Sequence, residues 1–192
     1  MKLNIPNILS LARIAVVPVF VIVFYLPFDW VNVATASIFA IAAFTDWLDG
    51  FLARKLNQTS RFGAFLDPVA DKLLVAVTLI LLVAADPGPW LAIPAIIIIG
   101  REIAISALRE WMAEIGERAQ VAVSQIGKIK TSAQMLSLLL LLYKSPIGEF
   151  PVYEVGLVLL YIAAALTLWS MIIYLRAAWP ALSGDNSKEN NE

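Results

Sequence analysis

The chain is built from long continuous apolar runs separated by short polar stretches, with no strict alternation of apolar and polar positions. Runs of about 20 apolar residues are long enough to cross a bilayer. Lipid offers no partner to backbone amides, so spanning segments must be helices or a closed barrel, and unbroken runs favour helices. The pattern predicts spans over roughly 8–26, 31–53, 63–85, 90–113, 128–143 and 152–178. Polar turns separate them, including Arg54 to Arg61, Asp86-Pro87-Gly88-Pro89, 114–127 and Lys144 to Pro151. The expected fold is an all-α six-helix membrane bundle: one domain over 1–182 and a polar, disordered tail over 183–192.

Composition agrees with that picture and excludes much chemistry. Of 192 residues, 60% are hydrophobic, above the roughly half expected of soluble domains. Net charge is −1, which gives no reason to expect a nucleic-acid partner. The chain has no Cys and no His, so thiol nucleophiles, disulfides, thiolate metal sites and imidazole bases are ruled out. Proton transfer falls to Asp, Glu, Lys or Tyr. The first apolar run lacks a convincing small-residue cleavage site and is followed by more spans, so no cleavable signal is expected.

Basic residues are distributed unevenly between the two sides of a six-span chain. Lys2, Arg54, Lys55, Arg61, Lys72, Arg109, Arg118, Lys128, Lys130, Arg176 and Lys188 fall on one side, and only Lys144 on the other. The basic side is cytoplasmic by the positive-inside rule, which predicts both termini inside.

Charges within the apolar runs mark candidate chemistry, because a carboxylate at membrane depth is costly unless it meets a cation or water. Asp46 and Asp49 are spaced i, i+3, and Asp67 and Asp71 i, i+4. Either spacing puts both members on one helix face. One turn separates the two pairs, and Gly50, Ala53 and Gly63 leave room beside them. Four such carboxylates suit a hard divalent cation such as Mg²⁺, Mn²⁺ or Ca²⁺. Phosphates would supply the remaining oxygen ligands. A single Asp here would more simply be a cap or a solvated helix end.

A second constellation is basic. Arg101 and Arg109 are eight residues apart, close to two helical turns, and Lys128 and Lys130 begin the next helix. Together they read as an anion pocket, most simply for phosphate. The plain alternative is interfacial Arg and Lys reaching out to lipid headgroups. Arg101 lies well inside an apolar run beside Glu102 and needs a buried partner. Arg13, in the first span, either reaches the same cavity or pairs with a helix end.

The run Asp46-x2-Asp49-Gly50-x2-Ala53-Arg54-x8-Gly63-x3-Asp67-x3-Asp71 resembles the signature of the CDP-alcohol phosphatidyltransferases, with every position filled. The resemblance implies a six-helix membrane bundle that forms a homodimer, and Mg²⁺ or Mn²⁺ as cofactor, two ions per site. It implies that Asp46, Asp49 and Asp67 hold one ion, that Asp46, Asp67 and Asp71 hold the other, and that Asp71 is the catalytic base. It places the CDP moiety near Asp49, Gly50, Ala53, Arg54 and Gly63. Ile5-Pro6-Asn7, Arg101-Glu102-x6-Arg109-Glu110 and Gly127-Lys128-x-Lys130-Thr131-x2-Gln134 are similar to the bacterial branch that makes phosphatidylglycerophosphate. That likeness implies CDP-diacylglycerol and sn-glycerol 3-phosphate as substrates and the bacterial cytoplasmic (inner) membrane as location. The acceptor phosphate would then meet Arg101, Arg109, Lys128 and Lys130. Other acceptors (inositol phosphate, serine, phosphatidylglycerol) and a divalent-cation transporter remain alternatives at this level.

Overall fold

The computed structural model describes residues 5–56, 61–115 and 125–183. The tail beyond Ser183, the central part of the 114–127 connection, and Lys2, Arg118 and Lys188 lie outside the described residues. Six helices follow in order: α1 Ile5–Phe24, α2 Val31–Leu56, α3 Arg61–Ala85, α4 Pro89–Glu114, α5 Gln125–Tyr143 and α6 Val152–Ser183. No strand occurs among the described residues, only an isolated bridge between Ile147 and Phe150 in the α5–α6 turn.

Each helix matches an expected span, but the ends differ. α2 continues through Arg54-Lys55-Leu56, read from the sequence as loop, and α3 already begins at Arg61. Arg, Lys and Leu are strong helix formers, and neither Gly nor Pro interrupts them. α6 likewise runs past 178 to Ser183.

α1, α3, α4 and α6 are long and apolar enough to cross a membrane, and the chain is a multi-pass membrane protein. The apolar parts of α2 and α5 are shorter, Val31–Asp46 and Ile129–Tyr143. Asp46 closes the first of these and Lys130 lies one residue inside the second, while Asp49 and Lys128 fall on the turns just outside them. With 26 residues, α2 is nevertheless about 39 Å long at 1.5 Å per residue, against a hydrocarbon layer of about 30 Å.

The contacts arrange the helices in a closed circle: α1 packs on α2, α2 on α5, α5 on α6, α6 on α4, α4 on α3, and α3 back on α1. α3 and α5 also touch across it. Phe20, Phe39, Leu79, Leu91, Ile98, Leu138, Leu141 and Leu160 are fully buried in the core. The hydroxyls of Thr35 and Thr78 are buried too, and donate to carbonyls four residues back, at Val31 and Leu74. Such self-contained hydrogen bonds let a hydroxyl sit in an apolar core at little cost.

The α5–α6 contact is the most extensive in the fold. Gly156 makes it close: a Cβ there would lie 3.1 Å from Leu140 Cβ and Leu141 Cγ. The Ser137 hydroxyl donates to the Gly156 carbonyl at 2.7 Å, tying the helices at the same level. Small residues allow this approach where helices associate by packing. Gly156→Val is expected to cost about 1–3 kcal/mol through overpacking, read as a lower thermal midpoint in detergent. An unchanged midpoint would mean that the two leucines give way freely.

At the end of the bundle where α3 hands over to α4, Asp86 accepts hydrogen bonds from the Tyr153 hydroxyl of α6 and, at 3.4 Å, from Trp90 Nε1 of α4. The Tyr153 hydrogen bond is the main reason the Asp86 carboxyl is held below its usual value of 3.8. A depressed folded-state value means that Asp86 stabilises the fold above that usual value, and the contribution disappears as pH falls through the lower one. Wild type is therefore expected to exceed Asp86→Asn in thermal midpoint at pH 7, with the gap narrowing as pH falls below 3.8. A gap that did not narrow would overturn this account of Asp86.

Candidate active site

At the opposite end, polar residues from all six helices come together. α1 contributes a stripe of Asn7, Ser10 and Arg13, spaced by three residues and so on one face, all buried in an otherwise apolar helix. Arg13 is 3% exposed, and its Nη1 donates to Asp46 Oδ1 of α2 at 2.6 Å and to Asp71 Oδ1 of α3 at 2.7 Å. A single guanidinium nitrogen thus draws the carboxylates of two helices to one point. Both carboxylates keep an open side, with side-chain exposures of 33% and 41%. Of the two readings left for Arg13, the structure selects the one that reaches the acidic site.

The guanidinium also tests whether this place suits a metal ion. Two hard oxygen donors, from different helices, converge on one cationic centre, and each carboxylate has a second oxygen. Oxygen donors of this kind fit Mg²⁺ or Mn²⁺. Among the described residues no group of three Asp or Glu assembles. The side chains of Asp49 and Asp67 lie outside the described residues, as do those of Gly50, Ala53 and Arg54. Their backbone positions are on the last turns of α2 and the first turns of α3. Gly63, on the first turn of α3, is buried.

The basic residues form the adjoining part of the site. Glu102 of α4 is its hub: Oε1 accepts from Arg101 Nη1 at 2.9 Å and from Lys130 Nζ of α5 at 3.1 Å. Arg101 and Lys130 are both buried, at 9% and 7% exposure. Arg101 Nη2 also donates to Ser170 Oγ of α6 at 3.1 Å. Arg101 therefore has partners, both half-buried, where its position demanded one. Arg109 is exposed and is held differently, donating to the Tyr174 hydroxyl of α6. The side chain of Lys128 lies outside the described residues.

Consecutive residues join the two parts. Asp71 belongs to the acidic pair, and Lys72 beside it donates to the Ser106 hydroxyl of α4, which in turn donates to the Glu102 carbonyl. Neighbouring Cα atoms are 3.8 Å apart, so acid and base clusters share a boundary rather than facing each other across the bundle.

Three contributors were not read from the sequence as site residues: Ser10, Ser170 and Tyr174. All are uncharged, and each sits in a run whose hydropathy dominates. A spacing signal existed. Ser10 continues the three-residue period of Asn7 and Arg13, and Ser170 and Tyr174 are i, i+4 polar positions in an apolar helix.

A family model described as CDP-alcohol phosphatidyltransferase matches residues 3–169. Among curated proteins, the chain is 54% identical to a Pseudomonas fluorescens protein over 188 residues, covering 97% of this chain and 96% of that one. It is 56% identical to a Salmonella typhimurium protein and 57% identical to a Pectobacterium atrosepticum protein, each over 178 residues, covering 93% of this chain and 96% of the relative. All three relatives bear the name CDP-diacylglycerol--glycerol-3-phosphate 3-phosphatidyltransferase.

Proposed function

The chain belongs to the CDP-alcohol phosphatidyltransferase family, and on that premise we propose its reaction. It transfers the phosphatidyl group of CDP-diacylglycerol to sn-glycerol 3-phosphate, giving phosphatidylglycerophosphate and CMP. The observation that carries the reading is the link, through Lys72 and Ser106, between the helix segment that bears Asp71 and the one that bears Arg101 and Glu102. The names of the relatives specify the acceptor among those the geometry would accommodate.

In this reading Asp46, Asp49 and Asp67 hold one Mg²⁺ or Mn²⁺ ion, and Asp46, Asp67 and Asp71 the other. Such ions offset the charge of the diphosphate and of the departing CMP. The residues of the chain do the rest. Asp49, Gly50, Ala53, Arg54 and Gly63 receive the CDP moiety. Arg101, Arg109, Lys128 and Lys130 receive the acceptor's phosphate and orient its primary hydroxyl. Asp71 takes the hydroxyl proton, and the oxygen forms a bond to the phosphorus that carries diacylglycerol. The bond from that phosphorus to the CMP oxygen breaks, and CMP leaves with the electron pair. Fixing both reactants before this displacement lowers its entropic barrier.

The basic excess supports a site and both termini on the cytoplasmic side, where the soluble acceptor is available, while the lipid arrives from within the bilayer. The protein is proposed to work as a homodimer in a bacterial inner membrane. The deciding experiment uses purified protein, Mg²⁺, CDP-diacylglycerol and sn-glycerol 3-phosphate, with CMP followed in time. Stoichiometric CMP and phosphatidylglycerophosphate are expected. Metal flux into proteoliposomes without CMP release would point instead to a transporter.

A further inference from the structure

α6 carries no acidic or basic residue between Glu154 and Arg176, yet it holds both arginines of α4. The Tyr174 ring lies 5.7 Å from Arg101 Cζ and 4.9 Å from Arg109 Cζ, centroid to carbon. Its hydroxyl accepts from Arg109 Nη2, and one turn earlier Ser170 accepts from Arg101 Nη2. Both contacts to the ring fall within the range of a cation–π interaction. Two guanidinium groups that would otherwise repel are thus both held against one aromatic ring. We propose that Tyr174 is a positioning residue of the acceptor-phosphate site, clipping Arg101 and Arg109 at the separation that receives a phosphate dianion. The proposal rests on the reading of the basic cluster given above.

Three features support the assignment. Arg109 is exposed, and a free arginine of that kind must lose rotamer entropy to hold a ligand. Contact with Tyr174 meets that loss before the ligand arrives, which is the usual source of affinity in preformed sites. Next, the buried Arg101 Nε has no hydrogen-bond partner among the described residues, which leaves donor capacity on that guanidinium. Lastly, Glu102 meets Arg101 and Lys130 but has no bond to Arg109, so the outer arginine takes its place from α6.

The test compares Tyr174→Leu and Tyr174→Phe with wild type in mixed micelles, following CMP release. Each substrate is varied with the other saturating. Tyr174→Leu is expected to raise the KM for sn-glycerol 3-phosphate about tenfold, with kcat and the KM for CDP-diacylglycerol within about twofold of wild type. Tyr174→Phe keeps the ring and loses the hydroxyl, so it should fall between the two. Inhibition by inorganic phosphate should weaken in step with the acceptor KM. A purely structural role would lower the thermal midpoint and kcat and move both KM values together; that result, or an unchanged acceptor KM, overturns the clip. If wild type itself releases no CMP with sn-glycerol 3-phosphate, the reaction reading fails separately. Thermal stabilisation by inorganic phosphate then decides the clip: loss in Tyr174→Leu upholds it, retention overturns it.

Discussion

Asp71→Asn is expected to lower the rate of CMP release by about 10²–10⁴-fold, the range that general acid–base catalysis contributes. The substitution is nearly isosteric, and an amide oxygen still accepts the Arg13 hydrogen bond now 2.7 Å long, so the helices keep their contact. What disappears is the negative charge and the ability to take a proton. Asp71 is 41% exposed in its side chain, which leaves it open to a hydroxyl arriving from the adjoining basic cluster. The thermal midpoint should therefore change far less than the rate. A variant that turns over at the wild-type rate would remove Asp71 from the chemistry.

Arg13→Met is expected to produce the largest loss of stability of any substitution considered. It keeps most of the apolar stem and deletes the cation that two carboxylates share. Breaking a buried ion pair by removing one partner costs about 3–5 kcal/mol, because the other charge stays behind uncompensated. Arg13 is deeply buried, but Asp46 and Asp71 are each about a third or more exposed, so a value near the lower end, about 3 kcal/mol, is expected. Divalent metal should restore part of it by supplying positive charge to the same oxygens. The measurement is a thermal midpoint with and without Mg²⁺, wild type against variant. If the variant matched wild type in metal-free buffer, Arg13 would not be the counter-charge of the acidic pair.

Much of this was legible in the sequence because lipid is a severe solvent. Six apolar runs had to become six helices, and ionisable groups inside them had to find one another. The spacing of Asp46, Asp49, Asp67 and Asp71 pointed to an acidic site, of which Asp46 and Asp71 are seen to meet at Arg13, and the need of Arg101 for a partner is met by the half-buried Glu102 and Ser170. Helix ends were read less well, since Arg54-Lys55-Leu56 is polar enough for a loop and helical enough to extend α2. Long-range partners were beyond reach. Arg13 meets residues 33 and 58 positions away, and spacing along one helix says nothing of which neighbouring helix it will face. Tyr174 escaped notice for a related reason. A tyrosine in an apolar run is usually filling space or sitting at the bilayer surface, and only the α4–α6 contact turns it toward two arginines.

The circular order of the helices bears on how the chain is made. Helices leave the ribosome in sequence, and α1 finds both its neighbours, α2 and α3, among the first to emerge. Arg13, Asp46 and Asp71 can therefore join while synthesis is still under way. α4 must wait: Glu102 lacks Lys130 until α5 inserts, and Arg101 and Arg109 lack Ser170 and Tyr174 until α6 does. The half that would receive the soluble acceptor is thus completed last, and a nascent protein stalled after its fourth helix would present membrane proteases with lipid-embedded charges still short of their counterparts.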